Sequence, residues 1–344
     1  MKILCSADWH LDAPMAAGDE ALRAASLALP GKLADLCKQE NCDLVLLSGD
    51  IFDGAYTADS LNALRTALRE MAVPVFISPG NHDFVGAASP WLTENFPENV
   101  HIYTTPRLES VHLPDLDLTV WGAGYTSMDC SPLLENFRAG AGVHICVLHA
   151  DPTLASSPYC PVSRSQVAGS NLKLLALGHI HKAGQFTAGA TLCLWPGCPM
   201  GRGYDETGPK GAVIVDLDTA EARFVPLATP RFYDLTCTPE ALPTLLPAAG
   251  SSDYYRITLE GESEPLDLPA LRSAYAHIPH LILRDRTVAP LDIWGSAGED
   301  SFEGTYFGLL RQALEEAPAE DKETVLLAAR LSRQLLEGQE VRLP

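Results

Sequence analysis

The stretch DLVLLSGDIFD, Asp43–Asp53, decides the fold. Its unbroken apolar run reads as a strand covered on both faces, the mark of layered α/β architecture. The run stops at Gly49, delivers Asp50 and Asp53 within one turn, and gives way to a helical pattern from about Ala58 to Met71. The same rhythm of strand and polar turn recurs along the chain. KILCSA (Lys2–Ala7) ends at Asp8 and His10, and PVFISPGNHD (Pro74–Asp83) ends at Asn81, His82 and Asp83. VHICVLHAD (Val143–Asp151) ends at His149, and LKLLALGHIH (Leu172–His181) ends at His179 and His181. Ligands of open α/β sheets bind outside the carboxyl ends of the strands. A buried Asp or His without a partner is costly, so repeated delivery of such groups to one edge points to a site.

Composition narrows the class. The chain has 344 residues, 47% of them hydrophobic, enough for a large domain and a smaller one. No apolar run reaches the length of a membrane span, and the start MKILCSADWH lacks the pattern of a signal peptide. Nine cysteines are scattered without CxxC pairs, which fits a reducing cytoplasm. The formal charge of −20 argues against tight DNA binding by this chain alone, because such proteins carry a basic face.

After His181 the pattern changes. TLCLWPG, KGAVIVDLD and ARFVPL read as antiparallel strands that close a second sheet. A boundary falls near LATPRFYDLT (Leu227–Thr236), followed by a small α+β module. APLDIWGSAGEDSFEGT (Ala289–Thr305) reads as an acidic linker. The tail from about Thr305 to Gly338 reads as helical, with Leu327, Leu331 and Leu335 on one face. This divides the chain into residues 1–229, 230–290 and 291–344.

The candidate ligands are Asp8, His10, Asp50, Asn81, His149, His179 and His181. Carboxylate, amide and imidazole donors without thiolate suit Mn²⁺, Fe²⁺ or Zn²⁺ rather than a structural zinc knot. Seven groups are too many for one tetrahedral ion and suit two ions sharing a carboxylate, the clamp for in-line displacement at phosphorus. Turn capping and hydrogen-bonded core polarity are the competing reading for each group taken singly.

The blocks DWH, GDIFD, GNHD, LHAD and GHIH, in this order, resemble the signature of calcineurin-like metallophosphoesterases over roughly the first 230 residues. SADWHLD, LSGDIFD and PGNHD resemble the DNA-repair exonuclease branch, which includes the bacterial SbcD nuclease and YhaO-like relatives. GHIHKAG and PGCPMGRGYDETGPKG lean toward the YhaO-like side. The resemblance implies a four-layer α/β/β/α sandwich with a small α+β cap module and C-terminal helices. It implies one ion held by Asp8, His10, Asp50 and His181, and a second held by Asp50, Asn81, His149 and His179, with Asp50 bridging. His82 matches a non-ligand histidine that assists the leaving oxygen, and Asp83 is expected to orient it through a carboxylate–imidazole hydrogen bond. Asp53 stands where some relatives carry a second histidine; it either tunes a ligand or caps the helix that follows.

The activity implied is dimetal-dependent phosphodiester hydrolysis of DNA, with Mn²⁺ the foremost metal, an SbcC-like coiled-coil ATPase as partner, and a homodimer. The rivals are a phosphodiesterase or phosphatase for small molecules using the same site, and a non-catalytic scaffold that keeps it as a relic. Lys182, Arg202 and Arg164 are candidate phosphate contacts, although isolated basic residues are usually solvated surface. His101, His112, His144, His277 and His280 lie outside any metal spacing. Tyr254 and Tyr255 are read as packing of the small β-module rather than base stacking.

Overall fold

The computed structural model describes residues 1–14 and 18–338. They form two compact units: Met1–Asp234 with Ser252–Tyr255, and Leu235–Ser251 with the chain from Arg256 onward.

The first unit holds two six-stranded sheets. The first runs in the order β12 (Glu221–Pro226), β11 (Gly211–Asp216), β1 (Lys2–Ser6), β2 (Leu44–Leu47), β3 (Val75–Ile77) and β4 (Val100–Ile102). The second runs β5 (Glu109–Leu113), β6 (Leu118–Gly122), β7 (Val143–His149), β8 (Leu174–Gly178), β10 (Thr191–Trp195) and β9 (Gly184–Ala188). β1 to β4 are mutually parallel, as are β6, β7, β8 and β10. Parallel registers such as Leu46↔Phe76 and His149↔Gly178 bring successive carboxyl ends to a common edge.

Strand periodicity sorts the side chains into three cores. Ile3, Leu44, Leu46, Phe76, Ile145, Val147, Leu174 and Ala176 fill the space between the sheets. The alternate residues Leu4, Val45, Leu47, Val75 and Ile77 face the helices Glu20–Glu40 and Ala58–Met71. On the far face of the second sheet, Cys146, Leu148, Leu175 and Leu177 pack under the six-residue helix Arg164–Gly169 and the loops around it. The order of layers is that of the expected sandwich, with the fourth layer made largely of loop.

Local chemistry sets the helix ends. Asp19 caps the first long helix by accepting from the Leu22 amide, and Asn41 closes it in the left-handed region. Thr57 and Ser60 form a capping box at the start of the second. That helix spans Ala58–Met71, as its pattern predicts.

One expectation is overturned. KGAVIVDLD and ARFVPL form a hairpin that joins the first sheet, where β11 pairs antiparallel with β1 in the register Ile3↔Val215. Only TLCLW enters the second sheet. The hairpin alternates: Val213 and Val215 enter the inter-sheet core while Ala212 and Ile214 face the helices, so it extends the first sheet with both faces used.

The second unit contains most of a three-stranded sheet ordered β13 (Phe232–Cys237), β14 (Tyr254–Glu262) and β15 (Leu281–Val288), and the helices Phe302–Glu316 and Lys322–Leu336. The last helix buries Ala329 and Arg333, while Leu335 is two-thirds exposed, so the leucine stripe is not its buried face. The Arg333 guanidinium lies 3.9 Å over the Phe307 ring and binds Glu303 Oε2, the Ile293 carbonyl and Ser296 Oγ. The segment Ala289–Thr305 is thereby tied into this unit rather than left as a linker.

Candidate metal centre

The site is built where five strands end. Asp8 and His10 follow β1, Asp50 follows β2, Asn81 follows β3, His149 closes β7, and His179 and His181 follow β8. Hydrogen bonds from the Asp8 amide to the Gly49 carbonyl and from the His10 amide to the Asp50 carbonyl lock the first two turns together. The two sheets meet through Ser48 Oγ on the Ala176 carbonyl and Ser78 Oγ on the Ala123 carbonyl.

Glycines make the convergence possible. A Cβ on Gly80 would lie 2.2 Å from Asp50 Oδ1, and one on Gly178 would lie 1.9 Å from the Ser48 carbonyl oxygen. Several candidate ligands take backbone conformations that L residues rarely adopt: Asp8 at φ 56°, His10 at 47°, Asp50 at 50° and His179 at 91°. Each costs about 1 kcal/mol or more and persists because the surrounding turns hold it.

The imidazoles are oriented from behind. His10 Nδ1 lies 2.8 Å from Asp53 Oδ1, His149 Nδ1 2.9 Å from the Ser48 carbonyl and His181 Nδ1 2.5 Å from Glu206 Oε1. Each Nδ1–H thus donates to an oxygen, which leaves the Nε2 lone pair facing the site. Those Nε2 atoms converge. His10 Nε2 is 3.1 Å from His181 Nε2, and His149 Nε2 is 2.9 Å from Asn81 Oδ1. Asp50 Oδ2 stands between the two groups, 3.7 Å from His10 Nε2 and 3.5 Å from His149 Nε2. Asp8 Oδ1 accepts the His179 amide at 2.8 Å, while Asp8 Oδ2 is buried with no hydrogen-bond partner among the described residues. The His179 ring meets His149 edge-on at 5.3 Å and packs against Tyr159 at 4.5 Å.

An orphaned carboxylate oxygen, imidazole nitrogens facing one another and a shared carboxylate are a poor hydrogen-bonded core. They fit a pair of divalent cations. The protonation pattern is mixed: burial works to lower the pKa of His181, but the Glu206 hydrogen bond and the Asp8 charge outweigh it and raise it. Burial lowers the pKa of His10 despite its bond to Asp53, and burial with the neighbouring His149 takes His179 down to about 4, so both rings are neutral. Burial raises the pKa of Asp8; for Asp50 the same burial is outweighed by His149 and His10, and its carboxyl stays below the usual range.

His82 borders the candidate ligands, its ring meeting His10 edge-on at 4.8 Å and its nitrogens near Asp50. Its ring is nearly half exposed, and Nδ1 lies 2.9 Å from Asp53 Oδ1. That bond raises its pKa and leaves Nε2 without a partner among the described residues. The expectation that Asp83 orients His82 is overturned. Asp83 is buried, Oδ2 accepting the amides of Ile51 and Phe52 and Oδ1 that of Gly80, so it stitches two ligand-bearing loops together. Burial and the Asp50 charge push its carboxyl up to about 7. Asp53 resolves the other way: Thr57 caps the helix, and Asp53 binds both His10 and His82.

The basic candidates separate. Arg164 lies over Phe186, in the outer layer of the second sheet. Arg202 joins the site, with Nη2 3.0 Å from Glu206 Oε1 and Nη1 3.9 Å from Asp53 Oδ1. Glu206 is a residue that sequence reasoning missed. Its carboxyl is held well below its usual range by His181 and Arg202 against the effect of burial. The glycine-flanked run MGRGYDETGPKG was its only signal, and nothing in the spacing ties it to a histidine 25 residues earlier. Tyr254 and Tyr255 are buried and stack on Phe232 and Tyr233, which is packing as read.

A two-sheet α/β sandwich that gathers carboxylate, amide and imidazole donors around a shared aspartate defines a metal-dependent phosphoesterase. The chain belongs to the calcineurin-like phosphoesterases, whose family model matches residues 1–183. YhaO of Bacillus subtilis, called an uncharacterized metallophosphoesterase, is 30% identical over 248 residues, 65% of this chain and 59% of YhaO. The chain thus spans well under two thirds of the length of that relative. The SbcD component of the nuclease SbcCD from the same organism is 25% identical over 271 residues, 64% of this chain and 67% of that one. Among solved structures, TT1561 of Thermus thermophilus is similar at a TM-score of 0.42 and 14% identity, over 65% of this chain and 98% of that one. No helix among the described residues is long and apolar enough to cross a membrane.

Proposed function

We propose that this chain hydrolyses phosphodiester bonds in DNA with the help of two divalent ions, Mn²⁺ foremost and Fe²⁺ or Zn²⁺ as alternatives. The observation that carries the reading is the position of Asp50 Oδ2 between His10 Nε2 and His149 Nε2. One ion is assigned to Asp8, His10, Asp50 and His181, the other to Asp50, Asn81, His149 and His179. Two ions so held would supply an activated water and neutralise charge developing on the phosphoryl oxygens. The chain supplies the rest. Asp53 favours the charged form of His82, whose Nε2–H would donate a proton to the leaving oxygen. Asp83 acts on the loops and not on the proton.

DNA is favoured over a small diester because one relative is named as part of a nuclease and the resemblance runs through the same blocks. In this reading residues 1–229 carry the chemistry, 230–290 form the small α+β cap module, and 291–344 form the helical tail. With 44 acidic against 24 basic residues, the chain reaches DNA through a coiled-coil ATPase of the SbcC type, as a homodimer in the cytoplasm. The test is cleavage of end-labelled duplex and single-stranded DNA in Mn²⁺, beside bis-p-nitrophenyl phosphate. Degradation of DNA that Asp50→Ala abolishes supports the proposal. Turnover of the small diester alone, with the ATPase partner present, favours the small-molecule rival.

A further inference from the structure

Behind His181 the structure opens a second space. A cavity of about 620 Å³ is lined by His181, Lys182, Cys198, Asp205, Glu206, Lys210 and Phe224, among others. It lies on the Nδ1 side of the His181 ring, the side of Glu206, whereas Nε2 faces His10 and the metal ligands. The imidazole is therefore a partition between the metal centre and this cavity.

Lys210 is the anomaly in its wall. The residue is 7% exposed, and no carboxylate among the described residues lies within 4 Å of its ammonium. Its partners are neutral: the His181 carbonyl at 3.4 Å, a long contact, and the Cys198 thiol. Glu206, which shares the cavity wall, is already engaged by His181 and Arg202. A buried ammonium is expensive without an anion. The protein as a whole has 20 more acidic than basic charges, and Asp205 and Glu206 line this same cavity, yet neither comes within 4 Å of the Lys210 ammonium. Lys182, exposed on the same wall, adds a second positive charge. Phe224 provides an apolar surface beside them.

We propose that this cavity is an anion subsite that takes a phosphate group other than the one hydrolysed, with Lys210 as its buried charge and Lys182 at its mouth. The inference builds on the phosphodiesterase reading: a substrate with a second phosphate along its chain spans the His181 partition, one phosphate on each side. The chemistry recognised is a phosphate mono- or diester, either the next linkage of a nucleic-acid strand or a free phosphate.

The test avoids turnover by working without metal. In EDTA, titration calorimetry measures binding of 5′-phosphorylated dithymidine, the same dinucleotide lacking the 5′-phosphate, and inorganic phosphate. The phosphorylated dinucleotide is expected to bind the wild-type chain more tightly than its unphosphorylated form. Lys210→Met should weaken it by about tenfold or more, as expected for loss of a charge-assisted hydrogen bond, and Lys210→Arg should restore most of it. Lys182→Ala, a surface change that leaves folding alone, should weaken it by a few fold. Inorganic phosphate that binds and is lost in the same variants assigns the site to the phosphate group itself. Absence of a 5′-phosphate effect in the wild-type chain, or equal affinity in Lys210→Met of unchanged melting temperature, overturns the proposal. Cleavage of DNA by a chain that fails this test removes the subsite only, and a chain that binds through Lys210 but cleaves no phosphodiester removes the nuclease reading only.

Discussion

Asp53 Oδ1 serves two imidazoles at once, His10 at 2.8 Å and His82 at 2.9 Å. On one side it orients His10, and on the other it favours the charged form of His82, so in the proposed mechanism a single oxygen would couple metal binding to acid catalysis. This makes the leaving group the diagnostic variable. His82→Ala should slow DNA cleavage by about 10²–10⁴-fold. The same variant should cost far less on bis-p-nitrophenyl phosphate, whose nitrophenolate departs without a proton. Comparable losses on both substrates would remove His82 from the role of acid. Glu206 acts at one remove, through His181. Glu206→Gln should weaken metal affinity by about 10–100-fold, read by metal titration calorimetry. Affinity equal to wild type would make the carboxylate a partner of Arg202 alone. The sequence exposes His82 clearly, but not which acid serves it. Asp83 is adjacent in the chain, yet the turn carries its side chain inward to the amides of Ile51, Phe52 and Gly80. Asp53 arrives from another strand, and that pairing is a property of the folded loops.

At the scale of elements, the centre depends on how closely two sheets approach at their carboxyl edges. Gly178 is the tightest point, where a Cβ would press on the backbone carbonyl of Ser48, which also receives His149 Nδ1. Gly178→Ala should therefore destabilise the fold by about 2 kcal/mol or more and lower the melting temperature, even without metal. An unchanged melting temperature would show that the sheets have room to part. The strands and ligand turns were legible because each is local: a doubly buried run ending in Asp, Asn or His needs no tertiary knowledge to read. The hairpin Gly211–Pro226 was legible as strands, but its sheet was not, because β1 and the strands of the second sheet offer edges of the same apolar character. In the last helix the evenly spaced leucines were the visible signal, whereas burial follows Ala329 and Arg333. An arginine at a buried position reads from sequence as solvated surface. Its carbonyl, hydroxyl and carboxylate partners come from the segment 293–303 and are visible only in the fold. Arg333→Met should cost about 2 kcal/mol by leaving these groups unpaired, measurable by denaturant unfolding.

For the whole molecule, the candidate ligand set carries unfavourable terms that bound ions would relieve: strained backbones at Asp8, His10, Asp50 and His179, an Asp8 Oδ2 with no hydrogen-bond partner among the described residues, and carboxylates in a strongly acidic chain. Ion binding to the native state alone should stabilise it by about 2.7 kcal/mol at a metal concentration one hundred times the dissociation constant. The melting temperature should rise with Mn²⁺ and return with EDTA, and in Asp50→Ala that response should be largely lost. The central claim is that one aspartate joins two ions into one centre, and metal stoichiometry tests it most directly. Elemental analysis of the purified chain equilibrated with Mn²⁺ should give two ions per chain, falling to one or none in Asp50→Ala. A single ion in the wild-type chain, or two ions undisturbed by loss of Asp50, would contradict the account.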